Sequence, residues 1–422
     1  MRSDTGTKSV GSYGRRPSCA LHPATSTIKN QIFVVAPATE FFGSSLFIGA
    51  TPFSAGSSSR CSFCVFTLSD FDKNVNIIYG DNAQGKTNIL ESIYFCATSK
   101  SHRGSKDKDI VKFGESESHI KANVIKNDIS YRIDMHLKSN KPKGIAVNGI
   151  PIKKAVDLFG IINVVLFSPE DLNIIKDGPS QRRRFMDMEL SQLNKIYLSN
   201  LVNFNKVLGQ RNKLLKELAF NPSEEMISSL DIWDMQFERY GKCIIEGRKE
   251  FIRELNLIIS EIHSKLTGGS EKLVVEYVPF VNEDELGSAL SEYRKKDIKY
   301  KCSCAGPHKD DLVFNINGKD VRKYGSQGQQ RTAALSLKLS EIELVKKIIK
   351  DKPILLLDDV LSELDSNRQN FLLNSIGDIQ TIVTCTGLDE FINNRININK
   401  VFKVTNGKVS HIMCGDEAAE MR

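Results

Sequence analysis

The chain has 422 residues, of which 40% are hydrophobic and 26% charged, and its formal net charge is +7 at pH 7. This length predicts two or three domains around a large buried core, and no apolar run approaches the ~18 residues of a membrane span. We therefore expect a soluble, cytoplasmic protein with no membrane partner, whose mild basic excess permits a nucleic-acid partner without requiring one.

Residues 1–64 differ in composition from the rest of the chain. They are rich in Ser, Thr, Gly and Ala, and their only acids are Asp4 and Glu40. Apart from short apolar patches such as residues 32–35, they show no helical or strand period, so we expect a disordered or non-native extension. The scarcity of acids and the Arg15-Arg16 pair also fit an organelle transit peptide, although no amphipathic helix is visible.

The nine cysteines are not spaced as a disulfide framework, which is typical of a reducing compartment. Two short pairs, Cys61-x-x-Cys64 and Cys302-x-Cys304, have spacings that a zinc site could use. Neither pair lies in a ribbon or finger context, so zinc binding is the weaker interpretation of both.

A phosphate-binding loop follows a short apolar run. It fits the pattern G-x-x-x-x-G-K-[ST] between a predicted strand and a predicted helix. In such loops the glycines let backbone N–H groups approach phosphate oxygens, the lysine reaches the β- and γ-phosphates, and the hydroxyl ligates Mg²⁺. The residues that we expect to hold the phosphates and Mg²⁺ are Gly80, Asp81, Asn82, Ala83, Gln84, Gly85, Lys86 and Thr87.

Strand patterns dominate the segment after the first helix. Residues 118–126 and 130–138 alternate apolar and polar side chains around an Asn-Asp pair, which predicts a hairpin. Residues 145–152 predict a second hairpin around an Asn-Gly turn, and residues 161–167 predict a buried strand.

From about residue 181 to residue 266 helical patterning dominates, with a break near Asn221-Pro222. Two long helices that fold back on each other, as an arm or lobe inserted into the nucleotide-binding domain, explain this pattern. The first helix opens on Arg182, Arg183 and Arg184, which lie on more than one helix face. These cations could form a solvated or salt-bridged cluster, or they could contact nucleic acid.

Two further features lie near the C-terminus. Residues 324–331 form a glycine-containing loop before a helix predicted at 332–350, a helix start that suits a phosphate but is also compatible with an ordinary N-cap.

Residues 353–359 form an apolar run that ends in Asp358 and Asp359, which predicts a buried parallel strand with acids at its ligand-binding end. There Asp358 would hold Mg²⁺ and Asp359 would orient the attacking water, unless the acids only cap a helix.

Together these motifs resemble ABC-type ATPase heads and, within that class, the RecF family of bacterial recombination and replication-repair proteins. The likeness covers about residues 65–412. The family usually has a first strand and an Arg-Asn-Phe/Tyr-Arg-Asn word before the glycine loop, and their absence is consistent with a wrong start, a frameshift or a fusion in residues 1–64. The matching words are GDNAQGKTN (80–88), KSHR (100–103), SPEDL (168–172), GPHKDDL (306–312), GSQGQQR (325–331) and LLLDDVLSELD (355–365).

The resemblance implies an α/β fold: an ABC-type P-loop ATPase head with a mixed sheet and an inserted helical arm or lobe. It implies ATP and Mg²⁺ as cofactors, an ATP-dependent homodimer, and weak DNA-dependent ATPase activity. It also implies binding of single-stranded or gapped DNA or its junction with duplex, recombinase loading in the DNA-damage (SOS) response, and RecO and RecR as partners. Ser326 of one protomer would meet the γ-phosphate held by Lys86 of the other, with Gly328 and Gln329 in the same loop.

We accordingly divide the chain into five parts. These are an extension (1–64), the N-terminal part of the head (65–180), a helical lobe (181–300), the C-terminal part of the head (301–412) and a tail (413–422). The alternative function is a structural clamp of the chromosome-maintenance type. About 85 residues folded in half span at most roughly 60 Å, which favours a lobe over a long tether. A small-molecule P-loop kinase and a transporter head are disfavoured by the Ser-x-Gly-Gln loop and by the lack of a membrane span.

Overall fold

The computed structural model describes residues 30–35 and 71–414, except 113, 140, 378 and 388–398. The strands are β1 (Asn30–Val35), β2 (Val75–Tyr79), β3 (Glu117–Lys126), β4 (Ile129–Lys138), β5 (Lys141–Val147), β6 (Ile150–Pro151), β7 (Val164–Phe167), β8 (Leu273–Val278), β9 (Asp311–Ile316), β10 (Lys319–Asp320), β11 (Ile354–Asp358), β12 (Thr381–Cys385), β13 (Lys400–Thr405) and β14 (Lys408–Cys414). The helices are α1 (Lys86–Thr98), α2 (Asp107–Ile110), α3 (Leu172–Lys176), α4 (Pro179–Leu193), α5 (Lys195–Leu218), α6 (Glu224–Leu266), α7 (Leu286–Tyr300), α8 (Val321–Tyr324), α9 (Gln327–Ile349) and α10 (Ser366–Ile376).

A six-stranded mixed sheet, in the order β14-β13-β2-β12-β11-β7, lies at the centre of the head. Its strands pair in parallel, including β13 with β2, except that β13 and β14 form a closing antiparallel hairpin. Strands β11 and β12 are buried along their whole length because helices cover both faces. Leu356 and Ile382 pack in the core that contains α1, whereas Leu355 and Val383 pack in the core that contains α9 and α10.

A second, antiparallel sheet has the order β1-β3-β4-β5-β6 and packs its inner face into the α1 core. Both predicted hairpins are confirmed. Asn127 and Asp128 adopt φ values of 49° and 62°, the left-handed conformation that the tight β3–β4 turn requires. Asn148 and Gly149 make the corresponding β5–β6 turn.

Part of the N-terminal extension is ordered as an edge strand, contrary to the expectation from composition. Strand β1 pairs antiparallel with β3, from Asn30 opposite Lys126 to Val35 opposite Lys121. The apolar patch at residues 32–35 therefore indicated a strand. The open edge of β3 can pair with any extended apolar segment, because such pairing needs only backbone hydrogen bonds. The Arg15-Arg16 pair and Cys61-x-x-Cys64 lie outside the described residues.

The helical segment contains three helices rather than the predicted two. The carboxamide oxygen of Asn194 accepts from the backbone N–H groups of Ile196 and Tyr197, so this residue ends α4 and caps α5. The break near residue 221 is confirmed, and α6 then runs for 43 residues, which is about 65 Å at 1.5 Å per residue. A third sheet, β10-β9-β8, lies against α6, so the predicted lobe (181–300) also contains one strand.

Among the described residues, no helix combines the length and the apolarity that crossing a bilayer demands.

Helix α6 is fixed to the head by a buried ion-pair network centred on Arg248. The Arg248 guanidinium donates to Asp187 Oδ1 of α4 at 2.8 Å, to Asp310 Oδ2 at 2.9 Å and to the Pro307 carbonyl at 2.7 Å. Arg248 is 2% exposed and Asp310 is fully buried. Because burial raises the pKa of Asp310 and Arg248 opposes that shift, each charge depends on the other inside the protein.

Replacing Arg248 by Met should destabilise the protein by about 3–5 kcal/mol, because Asp310 would remain buried without its cation. The matched control is Arg253→Met on the same helix, where the Arg253 side chain is 69% exposed and pairs with Glu250. That variant should change the free energy of unfolding by less than about 0.5 kcal/mol. Urea titration followed by circular dichroism measures both, and equal stability of the two variants would contradict this role for Arg248.

Candidate functional site

The phosphate loop joins the end of β2 to the start of α1, as the sequence predicts. Gly80 (φ 153°) and Gly85 (φ 101°) adopt backbone conformations that other residues rarely tolerate. A Cβ atom at Gly80 would lie 2.3 Å from the Val404 carbonyl oxygen of β13. Glycine is therefore required here because the loop passes directly over a neighbouring strand.

Lys86 begins α1, and its ammonium is held inside the loop. Its Nζ donates to the carbonyls of Gly80 at 2.6 Å and Asp81 at 3.0 Å, and the residue is 7% exposed. The Gln84 side-chain oxygen accepts from the backbone N–H of Asn406 in the β13–β14 turn, which fixes the far side of the loop. Residues 81–83 are exposed. The loop thus surrounds a buried cation and has an open rim.

Asp358 at the end of β11 faces this loop, as predicted for a Mg²⁺ ligand. Its Oδ1 accepts from the hydroxyl of Thr87 at 2.9 Å and from that of Thr384 at 2.7 Å. Asp358 is 4% exposed, and this burial raises its pKa, while the two hydroxyl hydrogen bonds oppose the shift. A hydroxyl and a carboxylate in contact beside a phosphate loop are oxygen ligands of the type that Mg²⁺ prefers.

Asp359 follows Asp358 in a left-handed conformation with φ 53°. Its backbone N–H lies 3.2 Å from the Thr384 carbonyl and 3.1 Å from the Thr384 hydroxyl. Thr384 thus holds the Asp358 carboxylate and the Asp359 backbone, yet the sequence analysis did not select it. The available signal was its place at the C-terminal end of β12, between β2 and β11 in the sheet.

The second glycine loop is an N-terminal cap of α9. Helix α9 begins at Gln327, five residues before the predicted start, and Ser326 is its N-cap. The Ser326 hydroxyl accepts from the Gln329 backbone N–H at 3.2 Å, and the Gln329 side-chain oxygen accepts from the Ser326 N–H at 2.9 Å. This capping box satisfies two N–H groups and leaves Ser326 and Gly328 exposed.

A buried histidine links this loop to the end of α6. Gln329 Nε2 donates to Glu271 Oε1 at 2.8 Å, Glu271 Oε2 lies 3.2 Å from His263 Nε2, and His263 Nδ1 lies 2.9 Å from the Ser336 hydroxyl. His263 is fully buried, which lowers its pKa, although Glu271 opposes the shift. Sequence reasoning missed Glu271 and His263 because neither belongs to a motif and both act across the packing of two helices.

The structure separates the three consecutive arginines. Arg182 is 2% exposed and makes two bonds to Asp311, at 2.6 and 3.0 Å, so for this residue it favours the salt-bridge interpretation. Half-buried Arg183 donates to the Asp310 carbonyl at 2.7 Å, and half-buried Arg184 donates to two carbonyls of the 101–102 turn. Contact with DNA stays a prediction for this cluster.

Cys302 and Cys304 follow the end of α7. Burial raises the pKa of Cys304 to about 11, which disfavours the thiolate that binds zinc. Over the described part of the chain, one group of three His, Cys, Asp or Glu side chains has the spacing of metal ligands, and it lies elsewhere, on β3 and β4. Zinc binding at Cys302 and Cys304 therefore gains no third ligand from the described residues.

Comparison with known proteins gives one consistent family. The family model described as the RecF/RecN/SMC N terminal domain matches residues 62–410. A DNA replication and repair protein RecF from Lachnospira eligens is 75% identical over 340 residues, 81% of this chain and 94% of that protein. Its counterpart from Agathobacter rectalis is 60% identical over 342 residues, again 81% of this chain and 94% of that protein.

Two solved structures agree with this result. A recombination mediator protein RecF with ATP, from the RecFOR pathway, is 32% identical and superposes with a TM-score of 0.80 over 93% of this chain and 100% of that chain. The corresponding structure with ATPrS is 34% identical, with a TM-score of 0.76 over 91% of this chain and 98% of that chain.

Glu271 gives a test of the link between α6 and the Ser326 loop. The resemblance to ABC-type ATPase heads implies that the Ser326 loop takes part in ATP hydrolysis. Because Glu271 orients the carboxamide that caps Ser326, Glu271→Ala should on that expectation lower kcat for ATP hydrolysis roughly tenfold, the effect of losing one hydrogen bond to a charged group. ATP affinity at the phosphate loop should not change. Glu271→Gln keeps an acceptor for Gln329 and should recover most of the rate. A steady-state ATPase assay with a separate nucleotide-binding titration measures both quantities.

The matched control is Glu276→Ala, an exposed glutamate on β8. It should keep the unmodified rate. A loss of ATP affinity in Glu271→Ala, or no rescue by Glu271→Gln, would show that Glu271 does not act through the cap.

Proposed function

Because this chain belongs to the RecF family of DNA replication and repair proteins, we propose that it is an ATP-dependent DNA-binding protein of recombinational repair and replication restart. The observation that supports this most directly is the contact between Thr87 and Asp358, at 2.9 Å, beneath a phosphate loop that holds Lys86. Residues 271 positions apart meet at the point where a nucleoside triphosphate and Mg²⁺ would need them.

The residues around the phosphate loop have different proposed roles in binding ATP and in its hydrolysis. When bound, ATP with Mg²⁺ supplies the phosphoryl group and neutralises charge on it. Lys86 would exchange its two carbonyl partners for phosphate oxygens, and the N–H groups of residues 80–87 would cradle them. Thr87 and Asp358 would hold Mg²⁺, and Asp359 would orient the attacking water. Since an aspartate reaches less far than a glutamate, we expect slow turnover.

We propose that the complete site forms between two protomers. The capping bonds of Ser326 lie within its own loop, and its exposed hydroxyl and Gly328 remain available to a partner surface. In a head-to-tail dimer, Ser326, Gly328 and Gln329 of one chain would approach the γ-phosphate held by Lys86 of the other. Two identical sites follow from the two-fold symmetry, and ATP would join the protomers by contacting both.

The DNA substrate that we propose is single-stranded or gapped DNA, or its junction with duplex, on which the protein promotes recombinase loading in the cytoplasm. RecO and RecR are the proposed partners, in keeping with the RecFOR pathway named for the solved relatives. The division of the chain into head, lobe (181–300) and tail is part of this proposal. The clamp alternative is less favoured because α6 spans about 65 Å and packs along its length against α5 and the head.

The dimeric site is tested by mixing two inactive variants. Lys86→Ala removes the phosphate cation and Ser326→Arg blocks the second loop, so each variant alone has no intact site. In a mixed dimer one site carries both changes and the other carries neither. Mixing should therefore restore up to about half of the DNA-stimulated ATPase activity per mixed dimer, by the symmetry of the assembly. A site contained within one protomer predicts no recovery at any ratio.

Sedimentation of the unmodified protein with saturating ATP and DNA provides the control for assembly. Failure to recover activity, together with a monomer under these conditions, would contradict the two-protomer site.

DNA binding is tested by its dependence on salt. With ATP, the affinity for gapped DNA should fall steeply with ionic strength, because phosphate contacts release counterions. Lys86→Ala should lose the part of this affinity that depends on ATP. Changing half-buried Arg183 and Arg184 to Gln should reduce the salt slope by about 1 to 2 if both contact phosphates. Fluorescence anisotropy over a range of salt concentrations measures the slope.

The control variant is Arg253→Gln, an exposed arginine already paired with Glu250. An unchanged slope in the Arg183 and Arg184 variant would assign both residues to the internal contacts described above. Salt-independent binding of the unmodified protein would contradict DNA binding through phosphates.

A further inference from the structure

The outer face of the β3–β4 hairpin carries a group of side chains that the nucleotide site does not use. Along β3 and β4 every second residue is buried, among them Ile120, Met135 and Leu137. The residues between them face outward because side chains alternate along a strand. Glu117, His119 and His136 share this outer face.

The three side chains lie close enough to act together. His119 and His136 are directly opposite each other across the two strands, and their rings stack with centroids 3.9 Å apart and planes 20° apart. Glu117 Oε2 lies 2.9 Å from His136 Nε2. One ligand atom from each of the three residues lies within 4.8 Å of the other two.

We propose that Glu117, His119 and His136 bind a divalent transition-metal ion of the zinc type. Two imidazole nitrogens with one carboxylate oxygen suit Zn²⁺, Ni²⁺ or Cu²⁺, whereas Mg²⁺ and Ca²⁺ prefer oxygen ligands alone. Zinc bonds of about 2.0–2.1 Å place tetrahedral ligand atoms roughly 3.3 Å apart. Glu117 Oε2 and His136 Nε2, 2.9 Å apart, are within about 0.4 Å of this spacing, and a ring nitrogen of His119 lies within 4.8 Å of both ligand atoms.

The surroundings leave room for the ion. On the other side of β4, His136 is opposite Gly144 of β5, and even a Cβ atom at Gly144 would lie 3.8 Å from the nearest atom, His136 Cβ. No side chain of β5 therefore covers His136 at this register position, and a water molecule can complete the coordination.

One cation competes for the carboxylate. Lys138 Nζ lies 2.8 Å from Glu117 Oε2, and the Lys138 and Glu117 side chains are 42% and 38% exposed. Solvent screens such an exposed pair, so it opposes metal binding only weakly. Removing Lys138 should strengthen binding, which distinguishes a metal site from an ordinary surface ion-pair cluster.

Binding would join β3 to β4 independently of the nucleotide. The inner face of β3, which includes Ala122 and Val124, packs in the same core as Ile89 and Leu90 of α1. A metal held on the outer face should therefore stabilise the sheet behind the phosphate-loop helix. Ligands that bind only the folded state raise its stability in proportion to RT ln(1 + [L]/Kd).

The test is calorimetric titration of ZnCl₂ into the full-length, reduced, nucleotide-free protein. Because the cysteines can also bind zinc, the comparison is between the unmodified protein and the double variant His119→Asn, His136→Asn. The double variant should bind one zinc ion fewer. Each single histidine variant and Glu117→Gln should weaken this site at least about tenfold, since even outer-shell partners of a metal contribute 10–100-fold. Lys138→Gln should bind zinc more tightly than the unmodified protein.

A second measurement needs no variant. Zinc should protect His119 and His136 of the unmodified protein from diethyl pyrocarbonate, read by peptide mass spectrometry, while other histidines react as before. Equal zinc stoichiometry in the double variant would overturn the site, as would unchanged affinity in His119→Asn alone or the absence of zinc protection at either histidine.

Discussion

The Asp358 carboxylate is the point on which the arrangement of the site depends. It accepts hydroxyls from Thr87, at the start of α1, and from Thr384, at the end of β12, so one side chain joins three segments of the head. These segments meet only because β2, β12 and β11 are adjacent and parallel. The ends of parallel strands share one edge of the sheet, and the helix that follows β2 presents its free N–H groups at that same edge. The topology therefore creates the site before any ligand arrives.

Burial of Asp358 disfavours its charged form, and a bound cation would counteract this effect. In an apolar setting the charged form of a carboxylate is disfavoured, which is why the pKa of Asp358 is raised. A divalent cation would favour the ionised form and oppose that shift. The two hydroxyl donors hold the Asp358 side chain in place, so the carboxylate is ordered without a bound metal. Lys86 is held in the same way by the Gly80 and Asp81 carbonyls.

The sequence predicted those parts of the fold that local chemistry determines. Asn-Asp and Asn-Gly turns require left-handed residues, so both hairpins were recognisable, and the phosphate loop needs glycine where Gly80 lies against the Val404 carbonyl. Prediction from the sequence failed for residues whose contacts lie far away along the chain. Thr384, Glu271 and His263 act through contacts made by packing, and β1 depends on an open edge of β3. Helix α9 begins five residues before its predicted start because the capping box between Ser326 and Gln329 lets the helix include the glycine-containing segment.

The arginines show why a basic cluster alone does not predict a nucleic-acid surface. Arg182, Arg211 and Arg248 are each at most 2% exposed, and all three pair with buried or half-buried aspartates. Arginine suits such positions because its planar guanidinium satisfies several acceptors at once, as Arg211 does with Asp234 and Asp297. Arg182 and Arg248 hold the helical lobe to the head, and Arg211 holds α5 to α6 and α7 within the lobe. All three contribute to the net charge of +7 without being available to phosphates. The proposed DNA contact would therefore fall to cations that the fold leaves at the surface, and these can be identified only once the buried pairs are known.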